Sequence, residues 1–142
     1  MTRTKKTGLR FVALILAVMC CLSVIGPFAS ARGSLYIMTY SAGMAVRSGG
    51  KMIASFTITG TGKMDQIGAL NLTVYEDGNL LTTYNYTTTS GMMQYNTFAV
   101  AKEIEFYGTP GKSYYCYVSY QAGKDGDWDN RGLKSNTITA IS

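Results

Sequence analysis

The sequence predicts an all-β protein: a two-sheet antiparallel sandwich of about seven strands, set behind an N-terminal signal helix. Three observations lead there. Beyond residue 31, apolar and polar residues alternate with a period of two. Helical spacing is nearly absent over the same stretch, and Gly- and Asn/Asp-rich turns separate the alternating runs. All 11 tyrosines also fall there, and Tyr suits a half-buried pleated surface.

Length and composition set the limits. A chain of 142 residues allows one domain. With 46% hydrophobic and 15% charged residues it is no candidate for disorder. It has no histidine, which excludes a Ser-His-Asp triad, a Cys-His dyad and His-ligated zinc.

Residues 1–31 have the layout of a secretory signal peptide. Arg3, Lys5, Lys6 and Arg10 form the positive end, and Phe11 to Ile25 is apolar but for Ser23. Gly26-Pro27 breaks a helix there, and Ala29-Ser30-Ala31 offers small residues to a peptidase, so cleavage is expected after Ala31. An uncleaved membrane anchor is the rival, but the apolar run is shorter than the roughly 20 residues of a spanning helix. A lipoprotein signal fails, because Met19 precedes Cys20 and Cys20 precedes Cys21. Cleavage would leave residues 32–142 as the folded domain, secreted and free of the membrane. Four basic residues leave with the signal, so the remainder is close to charge balance and carries no nucleic-acid footprint. Cys116 stays alone, expected as a buried thiol with an intermolecular bridge as the alternative.

The strands follow in order. Leu35–Ser41 and Met44–Arg47 read as an irregular first strand broken near Ala42-Gly43, and Ser48–Lys51 reads as a turn. In Met52–Thr59, Met52, Ala54, Phe56 and Ile58 share one face. Gly60-Thr61-Gly62-Lys63 reads as a loop, and Leu70, Leu72 and Val74 as the apolar face of the next strand. Asp77-Gly78-Asn79 is a hairpin turn into Leu80–Thr87. Thr88–Asn96 reads as a loop. Thr97–Tyr107 places Phe98, Val100, Ile104 and Phe106 together, interrupted by Lys102; a bulge, an edge strand or a short helical turn would each account for that. Thr109–Lys112 is a turn, and Ser113–Gln121 is the most strand-like run. Its Tyr115 and Tyr117 oppose Tyr114, Cys116 and Val118. Gly123–Gly132 reads as a polar loop, and Leu133–Ile141 as the last strand.

The chemistry is sparse. Asp125, Asp127 and Asp129 alternate as in the first half of a calcium-binding EF-hand loop. Asn130 and Asn136 stand where that pattern needs Gly and Glu, so a solvated acidic hairpin with Asp125-Gly126 as its turn competes with a weak calcium site. Trp128, the only tryptophan, lies beside Arg131 in the same stretch, as an anchor for a protein or sugar partner or as a cap on the domain. A tyrosine stripe could stack on sugar rings or simply pack. Enzyme patterns fail. Ser48-Gly49-Gly50-Lys51 has the letters of a penicillin-binding motif without its helix, and Gly60–Lys63 lacks the rest of a phosphate loop. Glu103 and Glu105 suit the wet face of a strand better than a glycosidase pair. Asn71-Leu72-Thr73 and Asn85-Tyr86-Thr87 fit the glycosylation acceptor pattern.

Two resemblances add to this. Pro110-Gly111-Lys112-Ser113-Tyr114-Tyr115-Cys116-Tyr117-Val118 resembles the turn into the sixth strand of fibronectin type III and other immunoglobulin-like domains. The likeness implies an immunoglobulin-like sandwich with Tyr114 as a corner tyrosine, its hydroxyl bonded back to the backbone across the turn. The whole chain also resembles an uncharacterised family of small secreted proteins of Gram-positive bacteria. That match rests on Ala29-Ser30-Ala31-Arg32-Gly33, Thr59-Gly60-Thr61-Gly62, Met64-Asp65-Gln66-Ile67-Gly68 and the Tyr114 strand. It implies export and a small β-domain, with no activity attached. Together these readings point to a secreted, non-catalytic extracellular binding or structural module, partnered by a protein or a glycan. The alternative is a carbohydrate-binding module, steadied by calcium if the acidic run holds it.

Overall fold

A computed structural model describes residues 33–142; the expected signal segment and its cleavage point lie outside the described residues. Seven strands follow one another: β1 (Ile37–Val46), β2 (Lys51–Glu76), β3 (Asn79–Asn85), β4 (Met93–Tyr107), β5 (Ser113–Lys124), β6 (Asp127–Lys134) and β7 (Ile138–Thr139). Every pairing is antiparallel, and the described residues contain no helix. The all-β, seven-stranded expectation holds. The two-sheet arrangement is not what forms: all seven strands join one sheet, curled into a half-barrel.

The reason is β2. Its 26 residues run straight through Gly60-Thr61-Gly62-Lys63, where the sequence suggests a loop. Those residues stay extended because Thr61 is held by the chain entering β1: its N–H donates to the Tyr36 carbonyl (2.9 Å) and its hydroxyl to the Leu35 carbonyl (2.8 Å). The register of β2 against β4 slips between Thr59 and Met64, and such a bulge bends a strand and sharpens its twist. β1 pairs with the first half of β2 and β4 continues along it to Gly68, while β5 takes over from Gln66 and β3 from Asn71. Curling then brings β1 over β5. The Tyr120 hydroxyl donates to the Ser41 carbonyl, and the Cys116 thiol lies 3.8 Å from the Gly43 carbonyl.

The inner face is the core. Met52, Ala54, Phe56 and Ile58 of β2 are buried against Leu72 and Val74 of its second half, with Tyr114, Cys116, Val118, Tyr120 and Ala122 of β5. Each large apolar side chain so buried stabilises the fold by about 1.5–3 kcal/mol. Cys116 is fully buried and free. Tyr114 makes a bond across the turn: its hydroxyl accepts from Thr109 N–H (2.7 Å) and donates to Glu76 (2.5 Å). Lys112 pairs with the same carboxylate at 2.7 Å.

Other expectations shift. The first strand is continuous through Ala42-Gly43. Leu70 does not share the face of Leu72 and Val74, because the β2–β5 register slips between Ala69 and Asn71 and leaves Leu70 unpaired as a bulge. Thr97–Tyr107 forms as strand without a helical turn, part of a longer β4, with Lys102 opposite Phe56 on the inner face. Phe98 is exposed instead of joining Val100 and Ile104. Gly68 lets the chain before β4 approach: a Cβ there would sit 2.1 Å from the Met92 carbonyl oxygen, and Met92 is fully buried. Residues 33–142 form one compact unit containing all the core residues above, so this unit can fold by itself.

Candidate functional site

Gly123–Gly132 is not a loop. It is the hairpin of β5 and β6, closed by the two-residue turn Asp125-Gly126, whose φ values of 54° and 78° are those of a tight hairpin turn. That turn sets the register, with Lys124 opposite Asp127, Gly123 opposite Trp128, Ser119 opposite Gly132 and Tyr117 opposite Lys134. Residues directly opposite share a face. Trp128, Asn130, Gly132 and Lys134 therefore join Tyr115, Tyr117, Ser119 and Gln121 on the outer face. Asp127, Asp129, Arg131 and Leu133 belong to the other side.

The outer face is built from flat rings and amides. A Cβ on Gly132 would lie 1.9 Å from the Tyr117 hydroxyl oxygen, and one on Gly123 would lie 2.1 Å from Trp128 Cε3. Each ring thus rests against glycine backbone, where no side chain can lift it. Tyr117 is 42% exposed and Trp128 40%, so each offers an accessible surface to solvent. Four residues separate the two platforms along the hairpin, about 13 Å at strand rise. An amide chain crosses three strands beside that gap: Gln66 Nε2 donates to Gln121 Oε1 (3.2 Å), and Gln121 Nε2 to Asn130 Oδ1 (3.2 Å). The Ser119–Gly132 pair carries little side chain. A depression of about 380 Å³ opens there, lined by Leu70, Tyr117, Asn130 and Arg131 among others. Further along, Tyr75 and Tyr115 stack with centroids 4.9 Å apart, and Lys134 Nζ stands 4.0 Å over the Tyr115 ring.

The acidic run does a different job. Asp129 Oδ2 accepts from the Ser34 hydroxyl (2.6 Å) and the Tyr36 N–H (2.8 Å). Those donors, led by the Ser34 hydroxyl, hold its carboxyl below the ordinary value. Asp127 Oδ2 takes the Tyr36 hydroxyl at 3.1 Å, which raises the phenol's pKa. Asp125 occupies the turn, and its N–H donates to Asp65. Asp127 and Asp129 clamp the segment entering β1, and among the described residues no group of three Cys, Asp or Glu is placed to hold a metal ion. Arg131, on the other side by register, donates to the Asn130 carbonyl (2.8 Å) and, with Tyr120, is among the residues lining the depression. Of the five residues singled out by sequence, Trp128 lies on the outer face, Arg131 lines the depression from the other side of β6, and the aspartates do neither.

Gln66, Gln121, Asn130 and the two glycines escape a reading of motifs. The signal for them is register: once Asp125-Gly126 is taken as a two-residue turn, Trp128 must face Gly123. Comparison with protein-family models, curated proteins and solved structures finds no match for this chain.

Proposed function

We propose that this protein is a secreted, non-catalytic binding module whose outer β5–β6 face holds an uncharged, extended glycan. The observation that carries the reading is the pair of half-exposed rings, Tyr117 and Trp128, each packed close against a glycine with the amide chain between them. A sugar ring has an apolar face that stacks on an aromatic plane and a rim of hydroxyls that exchange hydrogen bonds with amides. Gln66, Gln121 and Asn130 supply donors and acceptors without charge. Export rests on the signal-like segment 1–31. A likeness of the turn into β5 to that of immunoglobulin-like domains is proposed with it, supported by the Tyr114–Thr109 bond across the turn.

The test is tryptophan fluorescence of the 33–142 unit titrated with a panel of soluble neutral polysaccharides. Saturable quenching by at least one is expected. Tyr117→Ala should weaken it roughly 10- to 30-fold, the size of a hot-spot truncation of about 1.5–2 kcal/mol. Flat titrations across the panel, with retention of a protein partner that Trp128→Ala abolishes, would replace the glycan with a protein.

A further inference from the structure

We infer that β3 is a self-association edge, at which two copies of this chain pair β3 against β3 and join their sheets into one. β3 pairs with β2 along one side, and among the described residues no strand pairs with its other side. The remaining rims are guarded. On β1, the Asn136 side chain accepts from Met44 N–H and donates to the Met44 carbonyl, both at 2.9 Å, standing in for a rung of a neighbouring strand. Asp129 takes the Tyr36 N–H just ahead of it. β4 carries Lys102, Glu103 and Glu105, and β6 carries Asp127, Asp129, Arg131 and Lys134. Charges on a rim are a common means by which sheets resist edge pairing.

β3 has no such guard. Between Asp77 and Lys102 the chain contains neither a charged residue nor a proline. Leu80 and Leu81 are 64% and 43% exposed. A second copy is the occupant this composition fits. An antiparallel pair of identical strands sets like residues near like about a two-fold axis, so a charged strand would repel itself. With the axis at Thr83, Thr83 meets its own copy and Thr82 faces Tyr84 of the other strand, and Thr–Thr and aromatic–β-branched pairs across strands are favourable. The pairing uses the unguarded edge of both copies, so assembly closes at two.

Pairing has a consequence for binding. Thr83 lies opposite Thr73, which lies opposite Tyr117, so β3 shares the outer face of β5. Strands paired in one sheet keep their faces aligned, so the dimer displays both outer faces on the same side. A repeating ligand could then engage two sites at once, with a gain in avidity. The pairing itself does not depend on the identity of that ligand.

Sedimentation velocity on the 33–142 unit tests the pairing. The expected result is a dimer that dissociates on dilution. Thr83→Lys and Thr83→Glu should each be monomeric with an unchanged strand spectrum, and mixing the two should restore the dimer. Amide exchange in the unsubstituted protein gives a reading that needs no variant: outward-facing β3 amides should be protected at high concentration and lose protection on dilution. A monomer at every concentration overturns the inference. So does a dimer whose β3 amides exchange at the same rate at all concentrations.

Discussion

The two faces of β5 share one strand and do opposite work. Inward, Tyr114, Cys116, Val118, Tyr120 and Ala122 are buried to the last, and each polar tip is used: Tyr114 on Thr109 and Glu76, Tyr120 on the Ser41 carbonyl. Outward, Tyr117 and Gln121 lie among polar neighbours, and Tyr117, packed against Gly132, stays 42% exposed where the inward rings Tyr114 and Tyr120 are closed off from solvent. A tyrosine is therefore not core or site by type. Its position in the alternation decides whether substitution costs stability or binding.

The contrast breaks most visibly on the inner side. Tyr120→Ala should cost about 3–5 kcal/mol, the usual range for an emptied aromatic site, measured by denaturant unfolding. Tyr117→Ala should stay within about 1 kcal/mol in the same assay, as surface substitutions do. Equal losses would erase the distinction. A gentler substitution sharpens it. The three nearest neighbours of a Cβ at Gly132 are all Tyr117 side-chain atoms, so Gly132→Ala should displace that side chain while the backbone stays in place. Unfolding free energy should move by less than about 1 kcal/mol, with a roughly tenfold loss of ligand affinity. Unchanged affinity would show that the close packing of Tyr117 on Gly132 is irrelevant to binding.

Cys116 offers a kinetic version of the same test. Burial raises its thiol above the ordinary pKa. A thiol reagent should label it only as fast as the domain opens, so labelling should accelerate in denaturant in step with unfolding. Prompt labelling in the folded state would contradict an enclosed inner face.

The smallest expected effect is on pH. The carboxyls of Glu76 and Asp129 are held below their ordinary values, Glu76 by Lys112 and Tyr114, Asp129 by Ser34 and the Tyr36 N–H. A lowered carboxyl contributes stability that is present above its unfolded pKa and is lost as pH falls through the folded one. Melting temperature should therefore fall on acidification below the ordinary carboxylate range. Asp129→Asn should flatten part of that slope, and an unaltered slope would deny the clamp on Ser34 and Tyr36.

Much of the fold is legible in the residues. Met52, Ala54, Phe56 and Ile58 announce their buried face, as Tyr114, Cys116 and Val118 do, because half-buried strands must alternate. Asp77-Gly78 and Asp125-Gly126 announce their turns because both central residues need positive φ. β6 was illegible as a strand. As an edge strand with most of its side chains at least partly exposed, it needs no apolar alternation, and its Asp127 to Gly132 portion looks like a loop. The continuity of β2 was hidden for another reason. Gly60 and Gly62 mimic a loop, and the bonds of Thr61 between them to Leu35 and Tyr36 keep the stretch extended. The site was half visible: Trp128 stood out by rarity, whereas Gly123, Gly132 and the amide chain gain meaning only from cross-strand register.

One measurement bears most directly on the outer face as the binding surface: backbone and side-chain NMR shift mapping with a soluble neutral glycan that quenches tryptophan fluorescence. The expected perturbations fall on the Trp128 indole, the Tyr117 ring and the side-chain amides of Gln66, Gln121 and Asn130, with Tyr114 and Tyr120 silent. Perturbations centred on the opposite, β1–β4 side of the sheet, with Trp128 unmoved, would contradict it.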